Sequence, residues 1–344
     1  MKKSLIALAA LAASAAFAQS SVTLSGNLDF AFGNQSGGST VKSASTVSTN
    51  SITSSTSVIN IIAVEDLGDG LKATAKYGLD PRALIDNNTK SGAKTLAADG
   101  GYASLNRDEA FVGLSGGFGT VKLGSPNSLG LEAFLATSPA GTGIGSGYKQ
   151  ATAAVNTRYD RSMRYDSNNL AGWTVSVLHA PGAAAADAAT GVLGLAARKT
   201  TELSVTYANG PLAVKLVNVA QAADGSNAKT AFTVAGGQYN LGATTLYAAY
   251  MNGDLLKDAA TAAEASGSRF AVKHTIGAVD LIASVQSLKL DNGADSGKKY
   301  KTTGLRADYN LSKTAAVYAG YEDRADIDTT KNLKLTSFGL RKSF

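Results

Sequence analysis

Three features of the sequence predict an all-β fold, an exported transmembrane antiparallel β-barrel of 16 strands. The chain begins with the pattern of a secretory leader, and the remainder alternates apolar and polar residues with a period of two. Short and long connections between these stretches follow one another in strict order. No later stretch approaches the ~18 consecutive apolar residues that a membrane-spanning helix needs, whereas a closed barrel satisfies its backbone hydrogen bonds between its own strands.

The leader occupies residues 1–18. Lys2 and Lys3 form a basic start, the apolar run 5–17 follows, and the last three residues read A-F-A, a signal-peptidase cleavage pattern. This order predicts a signal peptide and a mature barrel over residues 19–344. The alternative is a core helix at the amino terminus. The sequence contains no cysteine, so neither disulfide bonds nor thiolate chemistry is expected.

Alternation between apolar and polar residues marks the individual strands. Residues 22–30 (VTLSGNLDF) alternate almost without error, as a strand does when one face meets an apolar phase and the other meets water. Residues 71–77 (LKATAKY) repeat the pattern, with Lys72, Thr74 and Lys76 on one face. Further examples are 203–207, 303–309 and 338–341. The pattern predicts strands whose two faces meet different surroundings.

The connections between these strands fall into two classes. Tight connections rich in Gly, Asn or Asp are predicted at 68–70, 116–119, 168–172, 209–211, 240–242, 277–278 and 311–313. Long polar connections are predicted at 33–57, 80–107, 125–157, 181–198, 221–228, 253–266, 291–298 and 324–332. The two classes alternate, as periplasmic turns and external loops do in outer-membrane barrels, and together they join 16 strands.

A barrel of this size is too wide for side chains to fill, so the sequence predicts an aqueous channel. Aromatic residues near the predicted strand ends are Tyr77, Tyr165, Tyr207, Tyr239, Tyr309, Tyr321 and Phe344. They predict an interfacial girdle in contact with outer-membrane lipid and lipopolysaccharide. The alternative is a set of tyrosines that cap a soluble core.

Strand parity assigns charged side chains to the inside of the barrel. The predicted basic pore-lining residues are Lys72, Lys76, Lys122, Arg164, Arg306 and Arg341, and the acidic candidates are Asp29, Asp166, Glu202 and Asp308. Basic groups in a passage with low-dielectric walls attract anions, so a modest anion preference is expected. The alternative is a polar wall whose charges balance and give no selectivity.

Glu132 is the only carboxylate in the long connection 125–157. Opposite Lys72, Lys76, Lys122 or Arg164, it would create a transverse electric field across a constriction. The alternative is an ordinary exposed loop acid.

Several segments share residues with one known family. They are 21–26 (SVTLSG), 65–73 (EDLGDGLKA), 110–121 (AFVGLSGGFGTV), 164–167 (RYDS) and 207–212 (YANGPL). The last strand also ends in Phe344, with Leu340 and Phe338 on the same face. In these segments the chain resembles the Gram-negative general-diffusion porins of the β-proteobacterial and neisserial type. The matching segments are spread over nearly the whole mature chain.

This resemblance implies a homotrimer of 16-stranded barrels in the bacterial outer membrane. It also implies passive diffusion of ions and small hydrophilic solutes, with no cofactor, and a third external loop, here about 125–157, that folds into each pore. The chain departs from the family where Val58 and Ile62 replace inward arginines of the second strand, and where Asp108 and Glu109 replace an Arg-Gln pair. Much of the family's basic cluster is therefore missing, which argues against a strong anion preference.

Other function classes receive less support. Only two histidines, His179 and His274, are present, and neither lies near a nucleophile motif, so the chain is not expected to be an enzyme. No metal-binding motif is present, and the dispersed bases behind the formal net charge of +6 do not indicate nucleic-acid binding. A substrate-specific channel for organic anions or sugars remains an alternative, as does a structural barrel or adhesin. With Trp173 as the only tryptophan, a stacking path for sugars is disfavoured.

Overall fold

The structure is a computed structural model of the chain. It describes residues 20–37, 48–53, 57–79, 81, 108–146, 156–182, 198–223, 228–256, 262–291, 298–325 and 332–344. The predicted signal peptide, residues 1–18, lies outside the described residues. Within the described ranges, no helix is long and apolar enough to cross a membrane.

Seventeen strands and one helix make up the described secondary structure. The first strands are β1 (Ser21–Ser36), β2 (Ser48–Thr53), β3 (Val58–Gly68), β4 (Leu71–Leu79), β5 (Ala110–Gly116), β6 (Gly119–Ser125), β7 (Ser162–Asp166) and β8 (Trp173–Ala180). They are followed by β9 (Thr200–Asn209), β10 (Leu212–Gln221), β11 (Thr230–Leu241), β12 (Thr244–Leu256), β13 (Ala262–Ile276), β14 (Val279–Asp291), β15 (Lys298–Asn310), β16 (Ala315–Ala325) and β17 (Leu333–Ser343). The helix α1 (Leu129–Leu135) lies between β6 and β7.

All strands belong to one antiparallel sheet that closes on itself. Each strand from β3 to β16 pairs with the next, and β1 pairs with both β3 and β17. The short strand β2 pairs with residues 31–36 of β1, and β3 pairs with residues 21–27 of the same strand. Because β2 and β3 share one position in the barrel, the sheet has 16 positions. This confirms the predicted 16-stranded antiparallel barrel.

The barrel is apolar outside and polar inside. Val22, Leu24 and Phe338 are more than 60% exposed on the outer face, whereas Asp29 and Glu202 are buried on the inner face. Paired residues of neighbouring strands point to the same side of the sheet, so the register carries this alternation around the whole barrel. The distribution is the reverse of a soluble core and matches a wall with lipid outside and water inside.

The aromatic side chains named above all lie on the outer face. Tyr239, Tyr309 and Phe344 are exposed there, close to strand ends. Tyr207 packs beside Trp173, with ring centroids 4.7 Å apart. An outer row of amphipathic rings at the ends of the strands is the arrangement that a membrane interface favours.

The tight turns follow from local backbone chemistry. In the first one, Gly68, Asp69 and Gly70 have φ values of 87°, 51° and 77°, a conformation in which glycine costs least. The Asp66 carboxylate accepts a hydrogen bond of 3.0 Å from the Gly68 N–H and closes the turn. This geometry brings β3 back as β4 with only a short connection.

The strands are longer than predicted at the external side. The expected connection 33–57 contains the end of β1 and all of β2, and the expected connection 253–266 contains the ends of β12 and β13. These stretches are rich in small and polar residues, so their side chains show no clear alternation. The backbone hydrogen bonds between strands continue in these stretches although the side chains do not alternate.

Candidate functional site

The connection between β6 and β7 contains the helix α1, which begins at a capped residue. Ser128 is the N-cap, and its hydroxyl accepts a hydrogen bond of 2.9 Å from the Leu131 N–H. Leu129, Leu131 and Phe134 are buried along one side of the helix. The helix ends at Ala136, whose N–H donates to the Glu132 carbonyl.

The apolar side of α1 packs on the inner wall of the barrel. Its buried side chains form one cluster with Leu178, Val217, Val219, Phe232, Val234 and Met251, all inward-facing residues of β8 and β10–β12. Full burial of one Val or Leu side chain contributes about 1.5–3 kcal/mol, so the cluster is sufficient to hold the helix on the wall. The inner wall is therefore apolar where α1 lies.

A buried carboxylate fixes the start of the helix. Glu202 of β9 is fully buried and accepts hydrogen bonds from the Leu129 N–H at 2.5 Å and the Tyr159 hydroxyl at 3.0 Å. A longer bond of 3.3 Å comes from the Gly130 N–H. Burial, together with the nearby carboxylate, raises the pKa of Tyr159 well above its usual range, so this hydroxyl stays a donor. Glu202 thus supplies an acceptor for helix N–H groups that have no partner within the helix.

The polar side of α1 meets a charged cluster on the wall. The Glu132 carboxylate contacts Arg164 of β7, with 3.1 Å between Nη2 and Oε2, and Lys215 of β10, with 2.5 Å between Nζ and Oε2. Arg164 also lies 2.8 Å from Asp166, which in turn lies 3.1 Å from Lys122. We call Lys122, Glu132, Arg164, Asp166 and Lys215 the constriction cluster. It contains three bases and two carboxylates, so one positive charge is in excess.

The chain beyond α1 continues along the inner wall toward β16. Arg269 of β13 donates 3.0 Å to the Ser138 hydroxyl and also contacts the Ser146 carbonyl. The Gly145 N–H donates 2.8 Å to Glu322 of β16. Because these partners lie on strands far apart in the barrel order, the segment 129–146 spans a wide part of the inner wall.

Glycines on the wall allow this close approach. A Cβ atom at Gly304 would lie 2.5 Å from the Gly145 carbonyl oxygen, and one at Gly320 would collide with the Ile144 side chain. Any larger residue at these wall positions would push the segment away.

The remaining predicted pore-lining residues lie on the inner face but in separate groups. Arg306 is paired with Asp308 at 2.5 Å and lies 3.7 Å from the Tyr318 ring, while Arg341 lies 3.6 Å from the same Asp308. Lys72 is exposed and makes no ion pair with any described residue. The structure thus brings together Lys122, Glu132 and Arg164, and it places Arg306 and Arg341 in a second group.

Lys76 forms a third group with a residue at the start of β5. Its Nζ lies 2.5 Å from Glu109, whose other oxygen accepts a hydrogen bond of 2.9 Å from the Asn127 N–H. Burial opposes ionisation of Glu109, but the Asn127 N–H and the Lys76 ammonium together hold the pKa of Glu109 below its usual value. Glu109 is therefore a charged partner that ties the loop to β4.

Several residues of the site were not among the predicted ones. They are Lys215, Arg269 and Glu322, which lie on the inner face where strand parity would assign them. Apolar residues also point inward in these strands, so the alternation that would reveal the charged residues is weak. In β10 the run Leu216-Val217 puts apolar residues on both faces. That break in alternation is the sequence signal of the surface on which α1 packs.

The two histidines lie on the outer face of the wall. His179 Nδ1 is 3.0 Å from the Thr201 hydroxyl, and His274 Nδ1 is 2.8 Å from the Thr244 hydroxyl. In the described part of the chain, no group of three or more His, Cys, Asp or Glu side chains has a metal-binding arrangement.

A closed tube with an apolar outer face and a charged, partly filled interior is the architecture of an outer-membrane channel. Residues 4–328 match the profile of the Gram-negative porin family, and the chain belongs to this family. It is therefore a porin of the bacterial outer membrane, forming a water-filled channel for passive diffusion. The resemblance predicted from the sequence is confirmed.

Individual relatives agree with this assignment. Outer membrane porin protein 32 of Delftia acidovorans is 29% identical, over 99% of this chain and 93% of its own length. The major outer membrane protein P.IB of Neisseria gonorrhoeae is 35% identical over 53% of this chain and 49% of its own length.

Solved structures share the fold at low sequence identity. The anion-selective porin from Comamonas acidovorans superposes with a TM-score of 0.72 and 19% identity, covering 95% of this chain and 100% of that one. A trimer form of OmpT from Vibrio cholerae superposes with a TM-score of 0.65 and 16% identity, covering 94% of this chain and 99% of the other. The named relatives and structures are channels or outer-membrane proteins.

Proposed function

We propose that the channel is narrowed by the segment 129–146 and has a modest anion preference set at the constriction cluster. The observation that carries this proposal is the composition of that cluster, in which Lys122, Arg164 and Lys215 outnumber Glu132 and Asp166. An excess positive charge beside a narrow passage favours anions over cations.

The small size of the preference follows from the pairing of the wall charges. Most bases on the inner wall have a carboxylate within ion-pair distance, such as Arg306 with Asp308 and Arg324 with Glu322. Paired charges largely cancel for an ion several ångströms away. Glu132 contacts Arg164 and Lys215 directly, so the transverse field across the constriction is weaker than it would be with Glu132 on the opposite wall.

Reversal potentials across a KCl gradient test this proposal. Purified protein in a planar bilayer is expected to give large ohmic steps and a reversal potential on the anion-selective side. Steps with no selectivity would contradict the role of the cluster, and steps that prefer cations would contradict its sign. If correctly folded protein gave no conductance, the proposal that the segment 129–146 narrows the channel but leaves it open would be contradicted.

We also propose a homotrimer that contacts lipid and lipopolysaccharide through its outer face. The trimer form of OmpT and the exposed apolar outer face support this assembly. Native mass spectrometry in mild detergent is expected to give three chains, and conductance steps are expected in groups of three.

The mature chain is expected to begin at Gln19, which intact-mass measurement checks.

A further inference from the structure

The inner wall has a strip of alternating apolar and cationic side chains on β3–β6. The register places Ile62 directly opposite Lys76, and Lys76 directly opposite Phe111. Lys122 Nζ lies 5.4 Å from the centroid of the Phe111 ring. Val64 follows Ile62 on the same face of β3. We call Ile62, Val64, Lys76, Phe111 and Lys122 the inner-wall strip.

Among the described residues, this strip lies away from the wall contacts of the segment 129–146. The hydrogen bonds and ion pairs of residues 129–146 given above end on strands from β7 to β16, namely on Arg164, Glu202, Lys215, Arg269 and Glu322. The side chains of the strip are partly exposed rather than covered. Among the described residues, the segment 129–146 therefore leaves the inner wall at β3–β6 facing the lumen.

The row that contains Lys122 is also the row of the constriction. One row of paired residues runs across β7, β6, β5, β4 and β3. Its members are, in that order, Arg164, Lys122, Gly113, Thr74 and Val64. Ile62, Lys76 and Phe111 form the next row toward the external end. A solute that approaches the constriction from outside meets the strip immediately before it.

The chemistry of the strip suits one class of solute. Each lysine has three N–H donors, and the ion pairs with Glu109 and Asp166 leave donors for a passing anion. Apolar side chains on a wet wall gain free energy when an apolar solute covers them, and Phe111 offers a ring for aromatic contact. A small inorganic anion gains nothing from Ile62, Val64 or the ring.

We propose that the inner-wall strip binds organic anions with an apolar body, aromatic carboxylates above all, as they enter the constriction. This inference rests on the proposed function, because it requires an open pore at this wall. It adds the class of solute that the pore retains. Lys76 and Lys122 contact the carboxylate, while Ile62, Val64 and Phe111 contact the apolar body.

Benzoate and acetate in planar bilayers test the proposal with matched charge. Each is added to open wild-type channels in KCl, and the fall in chloride current is measured. Benzoate is expected to reach half-block at a concentration about tenfold lower than acetate. The reason is that burying part of its ring against the strip increases its affinity about tenfold relative to acetate. Phenylethylammonium, an aromatic cation, is expected to block no better than acetate. Equal block by benzoate and acetate would overturn the inference.

Variants separate the strip from the rest of the wall. Ile62→Thr keeps a β-branched strand residue but removes apolar surface, and it is expected to weaken the benzoate block about threefold while leaving acetate unchanged. Leu335→Thr is the matched control, an inward and partly exposed apolar residue of β17 that pairs with Gln35 and Glu322 rather than with a lysine. Lys76→Gln is expected to weaken block by both anions.

The outcomes distinguish this inference from the proposed function. Absence of conductance in wild type contradicts the open pore itself. If the channels give ohmic, anion-selective steps and benzoate blocks the Ile62→Thr variant as strongly as wild type, only the role of the inner-wall strip is contradicted. If Ile62→Thr gives no channels, Val64→Thr provides the same comparison at the neighbouring position, and an unchanged benzoate block there overturns the inference equally.

Discussion

Removal of the loop carboxylate in the constriction cluster changes ion selectivity in a calculable way. Glu132 forms ion pairs with both Arg164 and Lys215. Glu132→Gln keeps the size of the side chain and one of its two acceptor oxygens. The cluster then holds three bases against Asp166 alone, and the passage becomes more positive by one charge.

The magnitude follows from Coulomb's law. A unit charge ~6 Å from the ion path contributes about 0.7 kcal/mol in a medium with the permittivity of water. Screening at 0.1 M salt, with a length of ~10 Å, reduces this to about 0.4 kcal/mol. Anion and cation are affected with opposite sign, so the difference of about 0.8 kcal/mol changes the anion-to-cation permeability ratio about fourfold. Lys215→Gln should change the ratio by a similar factor in the other direction.

Reversal potentials in a tenfold KCl gradient measure both variants. Asp69→Asn is the matched control, since it removes a carboxylate from a periplasmic turn without touching the cluster, and Asn tolerates the positive φ at that position. The effect of Glu132→Gln should shrink in 1 M salt, where the screening length is ~3 Å. A reversal potential that stays at the wild-type value, or moves toward cations, would refute the assignment of this cluster as the selectivity site.

Three other predictions follow from the same structure. Glu202→Gln replaces one of the two acceptor oxygens by an NH2 group, so the bond from the Leu129 N–H or the bond from the Tyr159 hydroxyl is lost, at a cost of about 1–3 kcal/mol. Open-channel current noise should rise as the loop loosens, without a change in barrel melting temperature. Gly320→Val collides with Ile144 and should change single-channel conductance, whereas Gly117→Ala, which meets no atom within 4 Å, should not. Because the pKa of Glu109 is lowered, its ion pair with Lys76 stays ionised at pH values where a free glutamate (pKa about 4.3) protonates. The stabilisation from this pair is fully present above the free pKa and is lost only as the pH falls through the lower pKa of the folded protein. Wild type and Glu109→Gln should therefore keep more than half of their neutral-pH difference in reversal potential at about pH 4.3, where a free glutamate is half protonated. A difference of half or less at that pH would contradict the shift.

The barrel wall could be predicted from the sequence because each strand carries the same local signal. Residues 71–77 alternate over their whole length, and the structure places Lys72 and Lys76 inside and Tyr77 outside as the alternation requires. The turns at 68–70 and 240–242 contain the Gly and Asn that a hairpin needs, and their backbones adopt the expected positive φ. Such signals depend on nearest neighbours in the chain, so no knowledge of distant contacts is necessary.

The constriction could be predicted only in part, because its contacts link residues far apart in the sequence. Parity placed Arg164 on the inner face, and Glu132 stood out as the lone loop acid, but nothing local indicates that Lys215 contacts the same carboxylate. The inward residues Val217 and Phe232 break the alternation, and the meaning of that break depends on α1, a helix 80 or more residues away in a loop. Sequence periodicity thus defines the wall and leaves the packing on it open.

The separation between wall and loop also explains why this chain can depart from its family without losing the fold. A barrel is held by backbone hydrogen bonds between strands, which do not depend on the identity of the inward side chains. Val58 and Ile62 can therefore stand on the second barrel position, where the resemblance implies arginines. The pairing of β3 with β1 and β4 stays regular up to Asp66, and the only register shift, between Asp66 and Gly68, lies next to the turn. Selectivity residues are free to change for the same reason that they are hard to predict: the fold places no demand on them. In the proposal above, the apolar side chains next to Lys76 change which solutes the wall favours, while the backbone pairing of Ile62 with Lys76 is kept.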